Sequence, residues 1–136
     1  MLECISVERL NTIWPTLLPW LEAIEKRSRG RESVAGIKAD LESKNAQLWC
    51  WWRHGLKAMA VTEIKEHPGA KVCHVRICTG AERHLWLAKG LEGIEAWAAS
   101  IGCHEVDSDA RIGWERDLKG LGYRKHHFFC SKRIAP

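Results

Sequence analysis

The strongest constraint on this chain is a change of period. Up to about residue 45 the apolar residues recur at three- and four-residue steps, and from Ala46 they recur at every second residue. A stripe of the first kind belongs to an amphipathic helix, and alternation of the second kind to a half-buried strand. A chain that carries blocks of both kinds must pack helices against a sheet, so the expected class is α/β.

In the helical block, Leu10, Trp14, Leu17, Leu18, Leu21 and Ile24 draw one stripe, interrupted by Pro15 and Pro19. The first turn of a helix has no intrahelical acceptors for its N–H groups, so proline is tolerated there. The spacing therefore predicts a short turn before Trp14, then a helix from near Pro15 to about Lys26, ended by Gly30. Ser33 is placed to cap a second, short helix carrying Val34, Ile37 and Leu41. In the alternating block, Gln47 to Arg53, Leu56 to Glu66 and Lys71 to Thr79 read as three strands. His54-Gly55 and His67-Pro68-Gly69 are the turns of an antiparallel meander. In the third strand, alternation puts Cys73, Val75 and Ile77 on one face and Val72, His74, Arg76 and Cys78 on the other. After Gly80 the helical period returns through Leu87, Leu91, Ile94, Ala98 and Ile101. Gly102 stands where a left-handed cap residue belongs. A strand from Cys103 to Ser108, a helical stretch from Arg111 to Lys119, and a last strand from Tyr123 to Ile134 complete the order.

At 136 residues the chain is sized for a single domain over residues 1–136, and its eight tryptophans can furnish a sizeable core. No apolar run is long enough to span a membrane. The opening residues Met1-Leu2-Glu3-Cys4 lack the pattern of a secretion signal, so a cytoplasmic chain is expected, with its six cysteines reduced. The net charge of +4 is mild. Basic residues gather at Lys26-Arg27-Ser28-Arg29-Gly30-Arg31 and at Arg124-Lys125-His126-His127, but on no obvious recognition helix, so a nucleic-acid partner is not expected. No C-x-x-C pair occurs and no structural metal is expected. Glu105, Asp107 and Asp109 alternate on one strand face, where they are expected to pair with Arg111 and Arg116.

The order of elements and several short segments resemble the GNAT N-acetyltransferase superfamily. Ile94-Glu95-Ala96-Trp97-Ala98, followed by Gly102-Cys103, is similar to the end of that family's central helix. Leu118-Lys119-Gly120-Leu121-Gly122-Tyr123 is similar to its Y-E-K-L-G-F segment. Trp14-Pro15, Gln47-Leu48-Trp49, Thr62-Glu63-Ile64 and Arg111-x-Gly113-Trp114 resemble small GNAT-like proteins of tailed bacteriophages more closely. The resemblance implies a three-layer α/β fold, with a mixed, mostly antiparallel sheet and helices on both faces. It implies acetyl-CoA as cofactor, pantetheine held by Ile77, Cys78, Thr79 and Gly80, and phosphates met by Arg83 and His84. The family's phosphate-loop glycines correspond here to Leu85 and Leu87, and its general-acid tyrosine to Leu118. A general base, where used, is commonly a strand residue, for which this chain offers Glu63 and His74.

Two functions stay open at this level. One is transfer of an acyl group from acetyl-CoA to an amine. The other is a non-catalytic phage protein of the same fold, with a structural, assembly or virion-associated role in the host cytoplasm or the particle. The partner is then an amine substrate or another phage or host protein, with a homo-oligomer as a further expectation.

Overall fold

The computed structural model describes Met1 to Ala135. Strand β1 (Leu2–Ile5) precedes helices α1 (Val7–Arg27) and α2 (Val34–Glu42). Strands β2 (Gln47–Trp52), β3 (Leu56–His67) and β4 (Ala70–Gly80) follow, then helix α3 (Leu87–Ser100), strand β5 (Glu105–Ser108) and helix α4 (Glu115–Gly120). The five strands lie in the order β1-β2-β3-β4-β5. All neighbours are antiparallel except β4 and β5, which are parallel. The expected α/β class and mixed, mostly antiparallel sheet are both found.

Helices cover both faces. On one, Leu17, Leu21 and Ile37 from α1 and α2 are fully buried against Leu48, Cys50, Met59 and Val61. On the other, Leu87, Leu91, Ile94 and Ala98 of α3 pack on Trp49, Ala58, Ala60 and Cys73. Each fully buried leucine or isoleucine contributes about 1.5–3 kcal/mol. Trp49 meets Trp97 edge to face at 5.1 Å. Its indole N–H donates to Thr62 Oγ1 at 2.9 Å, inside the same layer. No helix among the described residues is long and apolar enough to cross a membrane.

Local signals account for the helix ends. Ser33 Oγ accepts from the Gly36 amide at 2.9 Å, capping α2 as its position implied. Gly102 adopts φ +88° after α3, and the Cys103 amide closes back on the Ala98 carbonyl at 2.9 Å.

The structure departs from the sequence reading in four places. First, α1 does not begin at Pro15 but runs unbroken from Val7, with both prolines inside it. Proline at 15 and 19 frees the carbonyls of Asn11 and Pro15, and Asn11, Pro15 and Pro19 all lie on the exposed face. Water can satisfy those carbonyls, so the buried stripe holds the helix together. Second, Leu2–Ile5 forms an edge strand along β2, pairing Leu2 with Trp51 and Ile5 with Leu48. Third, Tyr123 to Ile134 forms no strand. That segment instead crosses the end of α1, where Arg29 and Arg31 lie 5.6 and 5.5 Å from the Phe129 ring and Arg29 donates to Ser131 Oγ at 2.7 Å. Fourth, the alternation of β4 breaks. Val61 faces Ile77 but Thr62 faces Val75, so Arg76 is an extra residue in the ladder. This bulge turns both Arg76 and Ile77 toward α1 and α2, separating Ile77 from Cys73.

Candidate active-site cleft

The bulge and the short β5 together open the sheet. β4 and β5 pair only from Val72–Glu105 to Val75–Ser108. Ser108 Oγ donates to the Val75 carbonyl at 3.1 Å, and beyond it the chain turns away through Asp109 to Arg111. From Arg76 onward the outer edge of β4 therefore has no strand beside it among the described residues. A cleft of about 280 Å³ occupies the gap, reaching from Ile24 and Arg27 in one helical layer to Leu91 and Leu118 in the other. Its floor is the β4 segment Val75–Cys78, whose backbone from Arg76 onward has an open outer edge ready to meet an extended ligand.

Of the residues expected to hold pantetheine, Ile77 and Cys78 line this cleft. Burial pushes the Cys78 thiol up to about 12, so it is a neutral wall and no nucleophile. Thr79 and Gly80 lie further along, where β4 is paired with Met59 and Ala58. Gly80 serves close packing: a Cβ there would stand 2.4 Å from the Lys57 carbonyl oxygen. Of the residues expected to meet phosphate, His84 is exposed. Arg83 is bound to α4, with Nε 2.9 Å from Asp117 Oδ2 and its guanidinium 4.5 Å from the Trp114 ring. The positions matching the family's glycines frame Trp86, which is 4% exposed and donates its indole N–H to the Ala81 carbonyl at 2.7 Å. Leu118, in the place of the family's tyrosine, lines the cleft together with the chain's single tyrosine, Tyr123. Burial and a 2.6 Å bond to Glu95 Oε2 hold that phenol well above its ordinary range, committing its proton to Glu95.

The two candidate bases stand side by side. Glu63 and His74 are cross-strand partners on the face bearing α1 and α2. Glu63 Oε1 lies 3.8 Å from Arg76 Nε. The Arg76 guanidinium also forks onto Glu32, with Nη2 2.6 Å from Oε1 and Nε 2.9 Å from Oε2, while Nη1 donates to Asp40 Oδ2 at 2.7 Å. These carboxylates hold the guanidinium firmly in its charged form. His74 instead faces β5, with Nδ1 2.6 Å from Asp107 Oδ1 and Nε2 3.8 Å from Asp109 Oδ2. Asp107 of β5 and Asp109 just beyond it thus pair with His74 and not, as the sequence alternation implied, with Arg111 and Arg116. The parallel register sets His74 directly opposite Asp107. Sequence reasoning missed Arg76, Asp107 and Asp109 as members of one site. The only linear signal was the alternation of acids from Glu105 to Asp109, which does not say what lies across the ladder.

No family model matches the sequence, and no curated protein does. The likeness is structural. A probable acetyltransferase superposes with a TM-score of 0.73 at 12% identity, covering 100% of this chain and 97% of its own. An aminoglycoside acetyltransferase from an uncultured soil metagenomic sample gives 0.73 at 15% identity, over 99% and 98% of the two chains. Glucosamine-6-phosphate N-acetyltransferase from Arabidopsis thaliana gives 0.67 at 14% identity, over 99% and 98%. The fold is that of the GNAT acetyltransferases.

Proposed function

We propose that this protein transfers an acetyl group from acetyl-CoA to an amine. The carrying observation is the opening between β4 and β5. It leaves a strand edge free at Arg76–Cys78 and walls it with Leu87, Leu91, Trp114 and Leu118. A long, thin, amide-bearing arm such as pantetheine suits this slot, because free strand groups hydrogen-bond its amides while apolar walls cover its methylenes. The residues that would hold the arm are Ile77 and Cys78, with Thr79 and Gly80 closing the end of the strand. Arg83 and His84 stand at the approach to α3, where phosphates would meet side chains and the free amides of its first turn. When bound, the cofactor supplies a thioester carbonyl as acyl donor. The protein's part is to orient that carbonyl against β4 backbone amides, to exclude water, and to receive the proton of the incoming amine at Glu63 or His74. The fold neighbours named for aminoglycosides and for an amino sugar phosphate favour a small cationic amine as acceptor.

Titration with acetyl-CoA tests the reading. Trp114 lines the cleft, so tryptophan emission should change on binding. The melting temperature should rise as the bound form gains about 2.7 kcal/mol at 100 times Kd. No change in either at millimolar cofactor refutes it. A second reading, a binding protein without turnover, is favoured by one observation: the Arg83–Asp117 bridge and the buried Trp86 fill the region where the family keeps a glycine loop. It predicts cofactor binding absent and Arg83 still bridged.

A further inference from the structure

The geometry points to Asp107 as the positioning residue of the site: it fixes the His74 imidazole with its proton on Nδ1, leaving Nε2 as the proton acceptor for the incoming amine. This rests on the acetyl-transfer reading but selects between its two candidate bases.

The selection follows from which lone pairs are free. Glu63 faces the Arg76 guanidinium at 3.8 Å, within a cluster that already joins Glu32 and Asp40. Its carboxylate completes the shell of a fixed cation. His74 is different. Its side chain is 14% exposed, held between β3 and β5, and its Nδ1 is 2.6 Å from Asp107 Oδ1. A carboxylate can only accept, so the bond requires a hydrogen on Nδ1. In the neutral ring the lone pair is then on Nε2. That atom has no hydrogen-bond partner among the described residues, and the nearest carboxylate oxygen is Asp109 Oδ2 at 3.8 Å. His74 itself does not line the cleft, but Asp109, 3.8 Å from Nε2, does, so the free nitrogen lies one side chain back from the cleft wall.

Groups of both signs surround the imidazole: Glu63 across β3, Arg76 two residues along β4, and Asp107 and Asp109 beyond. The proton step balances simply. An acceptor arriving as an ammonium ion gives one proton to Nε2, becomes a free amine with its lone pair exposed, and leaves an imidazolium. The Asp107 carboxylate stabilises that cation across the 2.6 Å bond without taking the proton itself. The arrangement is a histidine base with an orienting acid, built from two parallel strands 33 residues apart in sequence.

Two measurements test this. The first needs no cofactor: ¹⁵N–¹H correlation spectra of the imidazoles, with His74 assigned by His74→Gln. The Nδ1–H form is expected for His74 in the wild type and a mixture, or the Nε2–H form, in Asp107→Asn. The second is steady-state acetylation of a primary-amine panel. Asp107→Asn and His74→Gln should each lower kcat about 10²-fold or more with KM for acetyl-CoA little changed, while Asp107→Glu recovers part of the loss. Glu105→Gln, which removes an equal charge from the same strand, should leave kcat alone. An Nε2–H tautomer in the wild type overturns the proposal, as does wild-type kcat in Asp107→Asn. A correct tautomer in a protein that binds no acetyl-CoA leaves Asp107 as positioned and refutes the transfer reading instead.

Discussion

Replacing Arg76 by methionine removes the cation that ties α2, the loop before it and the sheet into a single wall of the cleft. The guanidinium makes a fork on Glu32 and a 2.7 Å bond to Asp40, with Glu63 at 3.8 Å. Methionine keeps most of the stem's volume, so packing is largely preserved and the loss is electrostatic. Breaking a fully buried pair by deleting one partner costs about 3–5 kcal/mol. Here the guanidinium is 16% exposed and Glu32 17%, but Asp40 is 39% exposed and can be rehydrated, which lowers the expected loss to about 2–4 kcal/mol. For a chain of this length the melting temperature should fall by roughly 10 °C. Chemical denaturation of wild type, Arg76→Met, Glu32→Gln and the double variant isolates the pair. A coupling of about 1.5–3 kcal/mol is expected, with much of it kept at high salt because the pair is shielded from solvent. Arg76→Lys should recover only part of the stability, since an ammonium cannot reproduce the fork. A coupling near zero, or a melting temperature within 2 °C (about the noise of such a comparison), would refute the view that this cluster holds the wall in place.

Two further outcomes follow from the geometry. Gly80→Ala should destabilise the protein by about 1–3 kcal/mol and weaken any acetyl-CoA binding, because its Cβ would sit 2.4 Å from the Lys57 carbonyl oxygen and 2.7 Å from Ala58 Cα; unchanged melting would show that the strands separate there without strain. Burial pushes the Cys50 thiol up to about 12 and Cys73 up to about 11, against an ordinary value of 9.0. Stability is therefore unaffected below pH 9 and falls between pH 9 and about 12, where the unfolded thiols ionise and the folded ones do not. Equal slopes of stability against pH in wild type and Cys50→Val would contradict this, as would rapid labelling of Cys50 at pH 8.

What could be read from the sequence was whatever a residue's near neighbours decide. The stripe of α1, the Ser33 cap, the three-strand meander and the Gly102 cap are local, and all are present. Sites where a distant partner decides were illegible. β1 is four residues whose strand character comes from pairing with β2, about 47 residues away. The Tyr123 to Ile134 stretch has strand-like composition, but the available edge beyond β5 is only four residues long, and Phe129 has the Arg29 and Arg31 guanidinia against its ring instead. The candidate site divides in the same way. Glu63 and His74 could be singled out as polar groups on alternating strands. Asp107 could not be joined to His74, because no local signal fixes the register of a parallel pair, and the bulge at Arg76 leaves no mark in the alternation around it.

The segment between β4 and α3 shows how a departure in sequence changes what the fold can do. Where glycines let backbone wrap a phosphate, the loop must be held open by its own turns. Here Trp86 holds it shut from inside, with its ring 6.2 Å from Trp114 and its indole N–H on the Ala81 carbonyl. On the acetyl-transfer reading, a phosphate at this end would draw on Arg83 beside the amides of α3's first turn, since Asp117 and the Trp114 ring hold that guanidinium near the helix start. Its bridge to Asp117 is 36% and 46% exposed on the two sides, and such a pair contributes only about 0–1 kcal/mol. A bidentate, charge-assisted bond from arginine to a pyrophosphate oxygen pair is worth more than that. On the acetyl-transfer reading, a phosphate would therefore outcompete Asp117 for Arg83. Trp114, packed 6.2 Å from the buried Trp86 that replaces the glycine loop, would then carry the arginine that takes over the loop's role.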